Sequence, residues 1–278
     1  MRPVDTARLV SLAAIWGASF LFMRIAAPSL GPVLTAELRT LIAGLALAAW
    51  LGIPQWRRWG RHYLVVGVVG SAIPFLLWAY AALSLSAGLL SVLNATAPMW
   101  GALCTAVFLR ERLTARRIFG LVIGIVGVAL VSRPGADVSL HYPAIAAALL
   151  AALFYGLVAT YIKRWASEAP ARGMAVGSQL AAGTMLVPLI ALWPPAGVPS
   201  AGAVASILAL GLVCGAVAFI LYFRLIADLG APGALTVTFL IPVFGVLWGF
   251  LFLDEPLGLG MLAGAALVVL GTVFVLRN

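Results

Sequence analysis

The chain of 278 residues is 64% hydrophobic and 9% charged, and its mean hydropathy is +1.15. Soluble domains carry about 25% charged residues, so a soluble globular fold is excluded and an all-α polytopic membrane protein is predicted. The net charge of +9 is typical of basic loops that fix membrane orientation, so we expect no nucleic-acid partner. Cys104 and Cys214 lie in apolar segments, which predicts buried thiols and neither a disulfide nor a metal site.

Ten apolar segments follow one another along the chain, each near the roughly 20 residues that a membrane-spanning helix needs. The first has no convincing cleavage site and is followed at once by the second, so we predict that it is retained. The loops between the segments are short and rich in Pro, Gly and Arg. The predicted spans are about 8–25, 32–51, 63–82, 87–109, 115–132, 142–163, 172–192, 202–223, 231–253 and 257–276.

The basic residues test this count, because ten spans place both termini on one side of the membrane. With the N-terminus inside, fourteen of the 17 Lys and Arg residues fall in inner loops or at the inner termini. Only Arg133 falls in an outer loop, and Arg24 and Arg39 lie within spans or at their ends. The positive-inside rule therefore predicts a multi-pass protein of the cell (inner) membrane with both termini in the cytoplasm.

One stretch of the chain occurs twice, since residues 85–131 match residues 229–275 without a gap at a shift of 144 positions. Pro98/Pro242 and Glu111/Glu255 are among the identical pairs. Each half contains five spans, so the second copy is expected to insert upside down relative to the first. The predicted halves are residues 1–138 and 139–278. Inverted repeats are typical of secondary transporters, whose binding site lies near the midplane between the halves.

Several features occur in a fixed order: the start Trp16-Gly17-x-x-Phe20, Arg39 in the second span, and a duplicated pattern. That pattern runs from Pro98 through Glu111-Arg112-Leu113-Thr114 to Gly120 and Gly127. In this combination the whole chain resembles the drug/metabolite transporter superfamily in its ten-span EamA-type branch. Within that branch it is most similar to the YddG-type exporters of aromatic and other neutral amino acids. The resemblance implies two inverted five-helix repeats around a central cavity lined by spans 1, 3, 4, 6, 8 and 9, with spans 5 and 10 outside.

Pro98 and Pro242 lie near the middles of spans 4 and 9, where a proline removes a backbone hydrogen bond and bends or opens the helix. Their equivalent positions favour a hinge or a place on the cavity over a simple packing kink. Asn94 and Thr238 are repeat partners one turn earlier. Their side chains would either bond the opened backbone or contact substrate.

Aromatic residues cluster where the repeat places the cavity, and their flat apolar faces suit an apolar or aromatic substrate. The alternative for each is lipid contact or packing between helices. The predicted substrate-binding set adds to the two prolines, Asn94 and Thr238 these eight residues: Trp16, Trp78, Tyr80, Trp100, Tyr155, Phe219, Tyr222 and Phe244.

Ionisable groups inside a span face protein or water and mark functional sites. Glu37 and Arg39 are such groups. Glu37, the only carboxylate clearly within a span, is predicted to form either a proton or substrate-ammonium site or an anchoring ion pair with Arg24. Glu111 and Glu255 are expected to cap the helices that follow them. The glycines in spans 5 and 10 predict close helix packing, within one bundle or between subunits. Packing within one bundle is compatible with a monomer, which we predict.

The sequence thus predicts a secondary transporter that exports a small metabolite, a neutral or aromatic amino acid, by alternating access. The alternative is multidrug or toxic-metabolite efflux on the same fold. An intramembrane enzyme is disfavoured, because the spans carry no zinc motif, Ser/Lys dyad or Asp pair. No cofactor is expected.

Overall fold

The computed structural model describes residues 2–132, 142–195 and 197–276, and its regular structure over those ranges is helical. Eight of the helices are long and apolar enough to cross a membrane, which confirms the predicted polytopic class. A ninth, α4, is shorter. The helices are α1 (Pro3–Leu51), α2 (Trp56–Ala81), α3 (Ala87–Phe108), α4 (Ala115–Val131), α5 (Tyr142–Trp165), α6 (Ala171–Leu192), α7 (Ala201–Gly230), α8 (Gly233–Leu253) and α9 (Leu259–Leu276).

Helix α1 covers both of the first two predicted spans. Its 49 residues are interrupted at Gly31, which has φ 74° and ψ 162°. Pro28 lies three residues before this glycine, and Pro32 follows it directly. A positive φ strains residues that carry a Cβ, so glycine is suited to this bend. The N–H of Gly197 donates to the carbonyl of Ser29 at 3.2 Å, which ties the bend to a neighbouring loop. The two segments of α1 contact α2, α6, α7 and α8, so α1 runs through the middle of the bundle.

Pro98 and Pro242 affect their helices differently. Helix α3 is interrupted at Ala95 and Thr96, immediately before Pro98. The hydroxyl of Thr96 donates to the carbonyl of Leu93 at 2.6 Å, so a threonine hydroxyl and not the amide of Asn94 bonds the opened backbone. Pro242, in contrast, lies inside a continuous helical segment of α8. The expected opening next to the proline therefore occurs in α3 only, whereas α8 is interrupted at Thr236, six residues before Pro242.

Two π-helical segments widen the bundle's inner walls, Val68–Ala72 in α2 and Ala209–Val217 in α7. At the shift of 144 positions the first corresponds to residues 212–216, inside the second. Wide turns of this kind are frequent at functional sites, because they displace side chains from the regular helical pattern. The two segments have the same local distortion at corresponding positions in the halves.

Two helix crossings are equivalent: in one, a glycine of the first half contacts a helix of the second half, and in the other, a glycine of the second half contacts a helix of the first. A Cβ added to Gly17 would lie 2.8 Å from Phe244 Cβ and 2.9 Å from the nitrogen of Gly245. A Cβ added to Gly156 would lie 2.7 Å from the carbonyl carbon of Trp100 and 2.8 Å from the nitrogen of Gly101. Trp100 and Phe244 are repeat partners. The two glycines therefore allow equivalent close contacts, α1 with α8 and α5 with α3.

Helices α4 and α9 pack together through glycine. A Cβ on Gly120 would lie 2.6 Å from the carbonyl oxygen of Gly271, and one on Gly127 would lie 2.8 Å from that of Gly264. In these contacts the residue numbers rise along α4 as they fall along α9, so the two helices are antiparallel. The predicted role of these glycines was packing either within one bundle or between subunits, and the structure has packing within one chain.

The turns before α4 and α9 share an unusual backbone. Arg110 has φ 57° and its repeat partner Asp254 has φ 52°. In each turn the next residue closes a long backbone hydrogen bond, from Glu111 to Thr105 at 3.3 Å and from Glu255 to the equivalent Gly249 at 3.2 Å. The duplicated sequence therefore folds into two matching turns.

Candidate functional site

A central cavity of about 290 Å³ lies between the two halves of the chain. Helices α1, α2 and α3 of the first half and α5, α6, α7 and α8 of the second contribute to its walls. The π-helical segments provide Gly70 and Ser71 on one side and Cys214 and Gly215 on the other. The distortions that the halves share thus meet at the cavity.

Aromatic rings form much of the apolar wall. Phe20 and Trp78 meet edge to face, with ring centres 5.4 Å apart and planes at 72°. Such a wall suits a flat or branched apolar group. Six aromatic residues line the cavity: Trp16, Phe20, Phe75, Trp78, Tyr155 and Phe219.

Polar groups form a smaller part of the wall. The amide nitrogen of Gln179 donates to the hydroxyl of Ser71 at 3.0 Å. Within the described ranges, Trp78 Nε1 and Ser19 Oγ are buried and form no hydrogen bond of normal geometry, with only weaker contacts to the Tyr155 hydroxyl and the Cys214 thiol. Arg39, whose exposed fraction is 8%, also lines the cavity. The cavity therefore has polar groups able to orient a ligand.

A second cavity, of about 470 Å³, adjoins the first. Both cavities are lined by Ala97, Tyr155 and Thr238. An ion pair between Glu111 and Lys163 lies at the wall of the second cavity, and both side chains are partly exposed. The shared residues and the exposed pair indicate a route from the central cavity to one end of the bundle.

At the opposite end, Glu255 closes the start of α3. Its carboxylate accepts hydrogen bonds from the N–H groups of Ala87 at 2.7 Å and Gly88 at 3.1 Å. The hydroxyl of Ser86 accepts from the N–H of Leu89 at 3.1 Å. The first three N–H groups of α3 are therefore satisfied. Glu255 thus caps α3 and not, as predicted, the helix that follows it. Glu111 bonds to Lys163 instead of capping a helix.

The sequence profile of the EamA-like transporter family matches this chain twice, over residues 8–133 and 142–277. The chain belongs to the EamA-like transporter family. This EamA transporter is 27% identical over 269 residues to the uncharacterized transporter YvbV of Bacillus subtilis, covering 94% of this chain and 88% of that protein. It is 26% identical over 279 residues to a probable terminal-alkyne amino-acid exporter of Streptantibioticus cattleyicolor, covering 97% and 92%. A solved crystal structure with 18% identity covers 99% of this chain and 96% of its own, and its TM-score of 0.66 shows a shared fold.

Seven of the predicted substrate-binding residues of this EamA transporter line one or both cavities. They include the two residues, Tyr155 and Thr238, that the cavities share. Pro98 lines the second cavity only. The hydroxyl of Thr238 donates to the carbonyl of Leu235 at 2.8 Å, so Thr238 both bonds the backbone and faces the cavities. The seven are Trp16, Trp78, Asn94, Pro98, Tyr155, Phe219 and Thr238.

Five predicted substrate-binding residues line neither cavity in the structure. Tyr80 is 44% exposed at the bundle surface. Tyr222 packs behind the cavity, with its ring centre 5.3 Å from that of Trp16. Phe244 stacks on Trp248, and Trp100 lies at the crossing with Gly156. The fifth, Pro242, is buried within α8.

The charged residues of the first two predicted spans are separated. Arg24 donates to the carbonyls of Ala82 at 2.9 Å and Leu83 at 3.0 Å, so it holds the α2–α3 turn. The salt bridges of the described residues do not include one between Arg24 and Glu37. Glu37 is buried and does not line either cavity. The expected anchoring pair is therefore not formed.

Sequence reasoning missed part of the cavity wall of this EamA transporter. Phe75 is the repeat partner of Phe219, so the shift of 144 positions could have identified it. Phe20 belongs to the N-terminal motif that carried the family resemblance. For Ser71 and Gln179, the only sequence feature that could have indicated a place on the cavity wall was a polar side chain within an apolar span.

Proposed function

We propose that this EamA transporter is a secondary exporter of small neutral or aromatic amino acids that works by alternating access. The observation that carries the proposal is the central cavity, which both halves enclose with aromatic rings and a few polar groups. Its volume is at the lower end of the roughly 300–1,000 Å³ typical of small-molecule sites. The amino-acid exporter of Streptantibioticus cattleyicolor, similar over nearly the whole chain, supports this substrate class.

The proposed topology has ten spans. Helix α1 is broken at Gly31, and at about 1.5 Å per residue its segments 3–30 and 32–51 are about 42 Å and 30 Å long, each enough to cross the roughly 30 Å of a bilayer core. We therefore count its segments on either side of Gly31 as two spans. Helix α4 has 17 residues, which is close to the minimum for one crossing. The excess of Arg in loops of one side supports cytoplasmic termini, and the bacterial relatives support an inner membrane.

The proposed halves, residues 1–138 and 139–278, are inverted repeats. The two matches of the family profile support the duplication. The antiparallel packing of α4 against α9 supports the inversion, because these helices are repeat partners. The exchanged crossings of Gly17 with α8 and Gly156 with α3 are the contacts that a two-fold axis between inverted halves would produce.

The two ends of the bundle support alternating access, because equivalent carboxylates differ there. Glu255 bridges to the N–H groups of Ala87 and Gly88, while Glu111 bonds to Lys163 beside the second cavity. In the proposed cycle the halves exchange these arrangements. Glu111 would then bridge to the N–H of Ala231, the partner of Ala87, and Glu255 would release α3. This structure would be the conformation open to the cytoplasm.

The test is solute flux in proteoliposomes loaded with phenylalanine or leucine, with Trp78→Ala as the variant and Tyr80→Ala as its control. Trp78 is 1% exposed and lines the cavity, whereas Tyr80, two residues later, is 44% exposed. We expect Trp78→Ala to lower flux at least about tenfold, since loss of a buried aromatic contact is worth a few kcal/mol. Tyr80→Ala should retain most of the flux.

Multidrug efflux is the alternative, and the same vesicles test it with lipophilic cations. The wall of the central cavity carries Arg39 and no Asp or Glu among its described residues, which disfavours a cationic drug. Flux of the cations without flux of amino acids would refute the proposed substrate class.

A further inference from the structure

Arg39 carries a buried charge that no salt bridge among the described residues neutralises. Its guanidinium contacts the sulfur of Met23, with 3.5 Å between Nη1 and Sδ, and lies 3.8 Å from the centre of the Phe75 ring. Its titratable neighbours are the hydroxyl of Tyr155 and the thiol of Cys214. The carboxylates of the salt bridges in the described ranges pair with Arg2, Arg8 and Lys163 instead.

This arrangement leaves hydrogen-bonding capacity unused. A guanidinium has five N–H donors and stays protonated in proteins, and a thioether and an aromatic face satisfy it only weakly. A buried charge without a partner is costly unless an anion or water compensates it. Since Arg39 lines the central cavity, the missing partner can come from a ligand in that cavity.

Other donors point to the same ligand chemistry. Trp78 Nε1, which can only donate, and Ser19 Oγ are buried, line the cavity and form no hydrogen bond of normal geometry in the described part of the chain. Only weaker contacts link Trp78 to the hydroxyl of Tyr155 and Ser19 to the thiol of Cys214. Both residues are at most 4% exposed. A carboxylate accepts several hydrogen bonds and pairs with a guanidinium through two parallel ones. An ammonium group would find a cation and indole N–H in this region and no acidic partner on the described wall.

We propose that Arg39 binds the carboxylate of the transported substrate, with Trp78 Nε1 and Ser19 Oγ as further donors. The aromatic wall then holds the apolar remainder. The inference rests on the proposed transport function and deepens it, because it identifies the substrate class as monocarboxylates with an apolar or aromatic group. The α-amino group of an amino acid contributes little in this site, so deaminated analogues are also substrates.

The first test uses the unaltered protein. Proteoliposomes that take up labelled phenylalanine are challenged with 3-phenylpropanoate, its neutral amide, and phenethylamine. We expect inhibition by the carboxylate at a concentration similar to unlabelled phenylalanine, and at least about 30-fold weaker inhibition by the amide and the amine, as expected for loss of charged hydrogen bonds. Equal inhibition by all three would overturn the assignment while leaving transport itself established. Absence of flux for every solute would instead refute the proposed function.

The second test replaces the guanidinium. Arg39→Met should abolish selection for the carboxylate, and Arg39→Lys, which keeps the charge but not the two parallel bonds, should retain part of it. Melting temperatures without substrate distinguish this from a structural role. Removing an uncompensated buried charge should leave the temperature unchanged or higher, whereas a structural arginine would lower it. If Arg39→Met does not fold, Arg39→Lys is tested with the same inhibitor panel. An Arg39→Lys protein that selects the carboxylate as strongly as the unaltered protein would count against bidentate binding.

Discussion

The bridge from Glu255 to α3 predicts a measurable change in which end of the transporter is open. In Glu255→Gln the side chain keeps its shape but loses the charge that strengthens the bonds to Ala87 and Gly88. Hydrogen bonds to charged groups contribute about 1.5–3 kcal/mol, and a helix cap about 0.5–2 kcal/mol. Glu255 is half-buried and Gln still accepts one bond, so we expect a loss of about 1–2 kcal/mol. That loss corresponds to roughly a 5–30-fold shift in a two-state equilibrium.

Labelling of a single cysteine can measure this shift. Gly101 lines the second cavity, and a Cβ added there meets nothing within 4 Å, so Gly101→Cys should be tolerated. Cys104 and Cys214 are both buried and are replaced by alanine to remove background. In this conformation we expect a water-soluble thiol reagent to reach the second cavity. Glu255→Gln should slow the labelling of Gly101→Cys, because it favours the conformation in which that cavity is closed.

Ser86→Ala is the matched control. Ser86 caps the same helix through Leu89, yet it does not connect α3 to the turn before α9. Both variants should lower the melting temperature, but only Glu255→Gln should change the labelling rate. An unchanged labelling rate in Glu255→Gln, with a lower melting temperature, would show that Glu255 is only a helix cap and would remove it from the gating scheme.

Two further predictions concern prolines and glycines. Pro98→Ala should lower transport more than it lowers the amount of protein in the membrane. It should also lower transport more than Pro242→Ala does, because only α3 is interrupted next to its proline. Equal losses of transport and of membrane abundance would show that both prolines serve packing alone. Gly120→Ala should destabilise the protein by about 1–3 kcal/mol through overpacking against Gly271, measured as a lower melting temperature. Its control is Gly260→Ala in α9, where an added Cβ meets nothing within 4 Å; an equal loss there would show that the glycine contacts are not responsible.

Much of the fold could be predicted because hydropathy and loop charge depend on the bilayer and not on tertiary detail. The span predicted at about 87–109 corresponds to Ala87–Phe108, and that at about 142–163 to Tyr142–Trp165. The sharp bend at Gly31 between the first two spans was not predicted, because Pro28, Gly31 and Pro32 together are as typical of a loop as of a bend. The π-helical segments were also missed, since no single residue type specifies them.

The candidate site was predicted less completely, and helix geometry explains part of the difference. Successive residues on a helix are about 100° apart, so residues i and i+2 face nearly opposite directions. Trp78 lines the cavity and Tyr80 is exposed; Arg39 lines it and Glu37 does not. In each case two residues two positions apart were assigned to one site. Composition identified the right segment, but the face each residue occupies depends on how the helix is rotated in the bundle.

The glycine contact between α4 and α9 limits how the protein can move. At these contacts one backbone lies directly against the other, so we expect the two helices to move together as a single strut. Each is joined to the helix before it by a turn whose left-handed residue, Arg110 or Asp254, sets the direction of the chain. A rocking motion that exchanges the open end would therefore leave the strut intact and act at these two turns. In the proposed cycle, α4 and α9 would therefore keep their positions relative to each other, and the remaining helices would move relative to this pair.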